Sequence, residues 1–186
     1  MARGVAPNRP QGARADSQRP SIALQNLDIE ILRSTYEAKQ VAHWIYQEWA
    51  RFETDAVWQK NRQDLDRSLN EALSIPKFFV ARQAGQLIGM ASIVENDLPS
   101  HPELHPWLAN VYVSPEWRSR GVGSRLIRRA MDWSSTLVST VYLYTTSQVE
   151  LYLHLGWEIL QEDLYNDRRI TLMCCRAAAM TKDRTV

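Results

Sequence analysis

The chain has little cysteine, no long apolar run and no surplus of either charge, and each absence removes a class of protein. Its only cysteines, Cys174 and Cys175, are adjacent in 186 residues. Neighbouring cysteines cannot form an ordinary bridge to each other, so the sequence does not read as a disulfide scaffold, and a reducing, cytoplasmic compartment is expected. No apolar stretch approaches the ~20 residues needed to span a bilayer, so no membrane partner is expected. Lys and Arg total 22 against 21 Asp and Glu, a formal net charge of +1. That balance gives nucleic acid or an anionic membrane no field to bind. No internal repeat is visible, and the length suits one domain with a substantial core.

Residues 1–22 differ from the rest. They are rich in Arg, Pro, Gly, Ala and Gln and hold few large apolar groups. Such a segment buries too little surface to offset its ordering entropy, so it reads as a disordered extension. A basic arm that binds nucleic acid or a partner is the alternative. With no apolar h-region it is not a secretory signal. The domain is expected over 23–178, with 179–186 as a C-terminal tail.

Within the domain the hydrophobic period alternates between helix and strand. Residues 29–33 suit a first strand. Over 37–52, Val41, Ala42, Trp44, Ile45, Trp49 and Ala50 recur at helical spacing, and over 57–73 Trp58, Leu65, Leu69 and Leu73 share one face. Residues 77–82 and 87–95 predict a hairpin turning at Gln83-Ala84-Gly85-Gln86. A proline-containing loop over 96–106 leads to a strand over 107–113, and a helix follows over 123–137. A strand over 141–145, a short helix over 149–155 stopped by Gly156, and strands over 157–160 and 170–175 complete the chain. The order β-α-α-β-β-β-α-β-α-β-β predicts an α/β domain with a mixed sheet.

The richest segment joins the fourth strand to the third helix. A bend at Ser114-Pro115 is followed by Arg118-Ser119-Arg120-Gly121-Val122-Gly123-Ser124. The first N–H groups of a helix lack internal partners and carry partial positive charge. Gly121 and Gly123 clear side chains from the backbone, and Arg118 and Arg120 add full charge, so a pyrophosphate fits here. A Walker loop is excluded because no Lys follows Gly123. A dinucleotide fingerprint wants three glycines in the first βα turn, and this loop has two after the fourth strand.

Together these features resemble the GNAT superfamily of N-acetyltransferases, which use acetyl-coenzyme A. The likeness rests on Arg118-x-x-Gly121-x-Gly123, on Leu151-Tyr152-Leu153-His154-Leu155-Gly156-Trp157, and on the element order, and spans roughly residues 24–177. The second motif is similar to the family's Tyr-x-x-x-Gly-Phe, with Trp157 in place of Phe. The resemblance implies a mostly antiparallel sheet of about seven strands with about four helices, splayed at the fourth strand. It implies that acetyl-CoA lies along Val111, Tyr112 and Val113, with its pyrophosphate over Arg118, Ser119, Arg120, Gly121, Val122, Gly123 and Ser124. The backbone groups of Val111 and Val113 would pair with the pantetheine arm. A backbone N–H near Val111 would face the thioester oxygen, a role typically worth about 3 kcal/mol. Arg125 is the further arginine placed to reach a coenzyme phosphate, while Arg128 and Arg129 read as a solvated face.

Tyr152 aligns with the tyrosine that protonates the departing thiolate in many members, a suitable task for a phenol that is neutral at working pH. Its other reading is a core tyrosine. Some members carry a Glu in the strand before the glycine loop, and residues 107–113 contain no acid. Glu95, near the end of the preceding strand, is the best substitute base, and a water relay is the alternative.

Other candidates are weaker. His101-Pro102-Glu103-Leu104-His105-Pro106 has the composition of a metal box, but prolines break the helix that a four-residue His spacing needs, so no metal is expected. Trp44, Tyr46, Glu48, Trp49 and Trp58 either form core or shape the acceptor side. Glu162, Asp163 and Asp167 read as a solvated loop or a cation-attracting rim. The expected activity is acetyl transfer to the primary amine of a small molecule. The alternatives are a protein N-terminus or lysine as acceptor, a non-catalytic acyl-CoA-binding module, or a nucleotide-binding protein. The resemblance also allows a homodimer.

Overall fold

The computed structural model describes residues 27–176 apart from 50 and 52. The extension expected over 1–22 and the tail expected over 179–186 lie outside the described residues. The order of elements is as expected. Strand β1 (Asp28–Ile31) is followed by helices α1 (Thr35–Glu48) and α2 (Asp55–Ser68). Strands β2 (Lys77–Gln83), β3 (Gln86–Val94) and β4 (Trp107–Val113) come next, then α3 (Val122–Ser134), β5 (Thr140–Thr145), α4 (Val149–His154), β6 (Glu158–Tyr165) and β7 (Arg168–Arg176). The seven strands form one sheet in the order β1-β2-β3-β4-β5-β7-β6. All neighbours are antiparallel except β4 and β5. No described helix is long and apolar enough to cross a membrane.

Helix boundaries follow from capping. Ser34 accepts from Glu37 N–H at 3.3 Å and starts α1, two residues ahead of the expected start. Glu37 itself turns to Arg82 of β2, accepting from Nε and Nη2 at 2.7 Å each, and so ties α1 to the sheet. Thr54 caps α2 in the same way as Ser34 caps α1. Helix α2 ends at Ser68 rather than near 73, because Lys77 closes its C-terminus. The Lys77 ammonium donates to Ser68 O at 3.3 Å and to Asn70 O at 2.8 Å. A cation on terminal carbonyls opposes the negative end of the helix dipole.

The sheet separates two apolar clusters. On one face α3 and α4 set Leu126, Ile127, Ala130, Met131, Tyr152 and Leu155 against Phe79, Ala91, Leu143 and Met173. On the other, α1 and α2 set Val41, Trp44, Ile45 and Leu65 against Phe78, Val80, Trp107 and Leu172. Gly89 of β3 permits the close approach of α3. A Cβ there would lie 2.7 Å from Tyr112 O and 3.1 Å from Leu126 Cδ1.

The end of the chain departs from expectation. The acidic stretch read as a loop is strand: Glu162 and Asp163 belong to β6, paired with Thr171 and Ile170 of β7. The reversal is confined to Asn166 and Asp167, both left-handed with φ of 49° and 59°. Such a pair makes a tight hairpin turn, so the acids on either side remain in register instead of forming a loop.

Candidate active site

The cleft is created where β4 leaves its neighbours. On the β3 side, Met90 pairs with Tyr112 and Ser92 with Ala109, so two residues of β4 oppose one of β3. The extra residue makes a bulge at Asn110, whose φ of 54° is left-handed. Asparagine tolerates that conformation better than most side chains. On the β5 side only Trp107 and Tyr142 are paired, and beyond them the two parallel strands separate. The expected splay at the fourth strand is therefore present.

A cavity of about 770 Å³ fills this opening. Leu108 to Val111 line it from β4, Tyr144 and Thr145 from β5, Tyr152 from α4, and Glu48, Trp49, Glu53 and Lys60 from the first two helices and their connection. Asn96, Asp97, Pro99 and Pro102 line it from the loop after β3, and Tyr165 and Arg168 from the last hairpin. Two cross-links tie together the segments around it. Asn166 Nδ2 donates to Glu53 Oε2 at 2.7 Å, joining the last hairpin to the α1–α2 connection. His101 Nε2 and Asp163 Oδ2 are 2.7 Å apart, joining the loop after β3 to β6. The partnership with Asp163 holds the His101 pKa above its ordinary value. Glu103 also contacts His101. The histidine box thus serves as a loop fastening. Among the described residues, no group of three or more His, Cys, Asp or Glu side chains is arranged to hold a metal.

The glycine loop meets the cleft at the end of β4. A single 3₁₀ turn (Pro115–Trp117) leads to Ser119 and Gly121, both left-handed at φ 58° and 78°. No side chain caps the N-terminus of α3, where Gly121 is the N-cap. No side chain or backbone atom crowds the position a Gly121 Cβ would take. Backbone N–H groups of Val122, Gly123 and Ser124 at such a terminus suit a phosphate. The two arginines do different things. Arg118 Nε donates to Val113 O at 2.9 Å and its guanidinium lies over the Tyr112 ring, so Arg118 braces the loop. Arg120 lies over Trp117 at 5.3 Å. Because Arg118 engages the Val113 carbonyl, the backbone of Val111 is the more open of the two expected pantetheine positions. Tyr112 turns its ring to the other face of the sheet, against Trp44 at 4.9 Å.

Tyr152 is 8% exposed and lines the cleft. Burial pushes its pKa up to about 12, so the phenol is fully protonated at neutral pH. Its ring packs edge-on to Trp157 at 5.8 Å. Glu95 is exposed and lies outside the cavity lining, and Asp97 lines the cavity instead. Burial raises the Asp97 carboxyl to about 6, Lys60 lowers it, and Asp64 and Glu53 push it upward. Of the aromatic candidates on α1, Trp44 is core and Tyr46 packs on Trp58 outside the cleft, whereas Trp49 and Glu48 reach the cavity. Cys174 and Cys175 are buried and lie outside the lining.

Comparisons with known proteins agree with this geometry. The model of the Acetyltransferase (GNAT) family matches residues 39–157. No match was found among curated proteins. Solved structures with the same fold include a chimera of the Vibrio cholerae spermidine N-acetyltransferase SpeG with hSSAT. It is 18% identical, with a TM-score of 0.62 over 85% of this chain and 99% of that one. An aminoglycoside 6'-N-acetyltransferase complexed with coenzyme A is 15% identical, with a TM-score of 0.60 over 81% and 97% of the two chains. The protein yncA from Salmonella typhimurium, with its cofactor acetyl-CoA, is 18% identical, with a TM-score of 0.60 over 81% and 94% of the two chains.

Proposed function

The chain belongs to the acetyltransferase (GNAT) family, and we propose that it acetylates the primary amine of a small molecule by direct attack within a ternary complex. Acetyl-CoA is the donor. The observation that carries the small-molecule reading is the cleft itself, with the Asn166–Glu53 link across its rim and the His101–Asp163 link tying the neighbouring loop to β6. A bounded cavity of about 770 Å³ suits a small amine better than a polypeptide laid across an open groove. The spermidine and aminoglycoside enzymes of the same fold have names that point the same way.

In this reading the pyrophosphate rests on the backbone from Arg120 to Ser124, and Arg118 keeps that backbone in shape. The Val111 N–H faces the thioester oxygen and stabilises the charge that develops there. Tyr152 donates its phenolic proton to the departing sulfur. A thiolate leaving into the same buried cleft is disfavoured by the same loss of solvent that raises the phenol, so the transfer remains matched. Direct attack needs no enzyme nucleophile, which suits a lining without cysteine. Thiol release with acetyl-CoA tests the reading across a panel of small primary amines and of peptides with free N-termini or lysines. Turnover confined to the peptides would contradict it.

A further inference from the structure

The cleft holds a carboxylate that no cation among the described residues contacts. Asp97 forms no hydrogen bond or ion pair among the described residues. The neighbouring ammonium, Lys60, donates to Asp64 Oδ2 at 2.8 Å, and Arg67 also lies 3.8 Å from Asp64. From β5 and β6, Tyr144 and Tyr165 pack edge to face at 5.8 Å, and both phenols feel the Asp97 charge. An unpaired carboxylate partly withdrawn from solvent is costly unless a cation or a proton arrives there. Aromatic faces beside it favour an ammonium. Of the other acids nearby, Asp64 holds Lys60, Glu53 is occupied with Asn166, and Glu48, which also lines the cavity, is exposed.

We propose that Asp97 is the catalytic base, pairing with the acceptor ammonium and removing its proton so that the nitrogen can attack the thioester. This rests on the acetyl-transfer reading above. The acceptor arrives as an ammonium, and Asp97 takes one proton to leave a neutral amine. The nitrogen lone pair forms the C–N bond, and the carbonyl π electrons move to oxygen. Collapse re-forms the carbonyl and breaks the C–S bond, and the thiolate takes the Tyr152 proton. Asp97 passes its first proton to solvent and then relays to solvent the second proton, lost from the new amide nitrogen. Two protons leave nitrogen and one reaches sulfur through Tyr152, which solvent restores, so one proton is released per turnover. A carboxyl near 6 is ionised at neutral pH yet remains basic enough for this task. Burial sets that value first; Lys60 from α2 lowers it, Asp64 from α2 and Glu53 from the α1–α2 connection raise it, and the phenols of β5 and β6 face its charge.

Asp97→Asn and Asp97→Glu test the assignment, measured by acetyl-CoA melting shift and by thiol release with the amine panel from pH 5 to 9. The expected result is an unchanged melting shift in Asp97→Asn, with kcat lowered 10²–10⁴-fold, the usual worth of a general base. The acid limb of wild-type kcat/KM, near pH 6, should vanish in Asp97→Asn, and Asp97→Glu should recover part of the rate. Wild-type kcat and an intact limb in Asp97→Asn would overturn the assignment alone. Loss of the acetyl-CoA shift in both variants would overturn it by making Asp97 structural. A wild type that turns over no amine would overturn the transfer reading and the assignment together.

Discussion

Asn110 Nδ2 donates to Ser92 Oγ at 2.9 Å, and Ser92 Oγ donates to Ala109 O at 3.1 Å, so the bulge that opens the sheet is fastened to the adjacent strand. Asn110→Gly keeps the left-handed backbone but removes the fastening, at about 1 kcal/mol. Asn110→Ala also adds a left-handed strain of about 1–2 kcal/mol. Chemical denaturation should rank wild type above Gly and Gly above Ala. The KM for acetyl-CoA should rise in the same order, because the bulge sets the Val111 N–H.

Tyr152→Phe keeps the ring contact with Trp157 and removes only the hydroxyl. Turnover should fall about 10²–10⁴-fold while acetyl-CoA affinity stays within a few-fold of wild type. Steady-state kinetics beside a binding titration separates the two. Unchanged kcat would return Tyr152 to the core.

The His101–Asp163 fastening should depend on pH. Its partner raises the His101 pKa, so the folded state binds that proton more tightly than the unfolded chain. The stabilisation is full below the ordinary value of 6.5 and is lost as pH rises through the raised value. Asp163 is shifted downward by the same contact, so its share is present above the ordinary 3.8 and is lost as pH falls through the lowered value. Melting curves should show His101→Ala least stable relative to wild type near pH 6, with the gap narrowing toward pH 9.

Asp97 shifts stability with pH in the same direction as His101. Its carboxyl is raised from 3.8 to about 6, so the folded state holds the proton more tightly and stability falls as pH climbs through that window. Asp97→Asn should therefore melt higher than wild type at pH 7 and above, and the gain should shrink toward pH 4. Each 1 kcal/mol corresponds to about 2–4 °C for a chain of this size.

The elements proposed to hold the donor were legible in the sequence, and the acid that lines the cleft was not. The strand over 107–113, Gly121, Gly123 and Tyr152 are local signals: an apolar run, a glycine spacing, a motif position. Each appears in the structure where the sequence put it. The Ser34-x-x-Glu37 pattern was equally local, and it starts α1 earlier than hydrophobic period alone suggests. Asn166-Asp167 was missed because the flanking acids have low strand propensity, while pairing with β7 keeps them in the sheet. Asp97 could not be told from Glu95 by position. It shares the cavity lining with Lys60, Tyr144 and Tyr165, which come from three distant segments, and no local pattern records that meeting.

Thiol release from acetyl-CoA with small primary amines, in parallel with peptide amines, tests the central claim most directly. The account predicts saturable release with at least one small amine, and with it an N-acetylated product. Release that appears only with peptides, or with no amine at all, would contradict it.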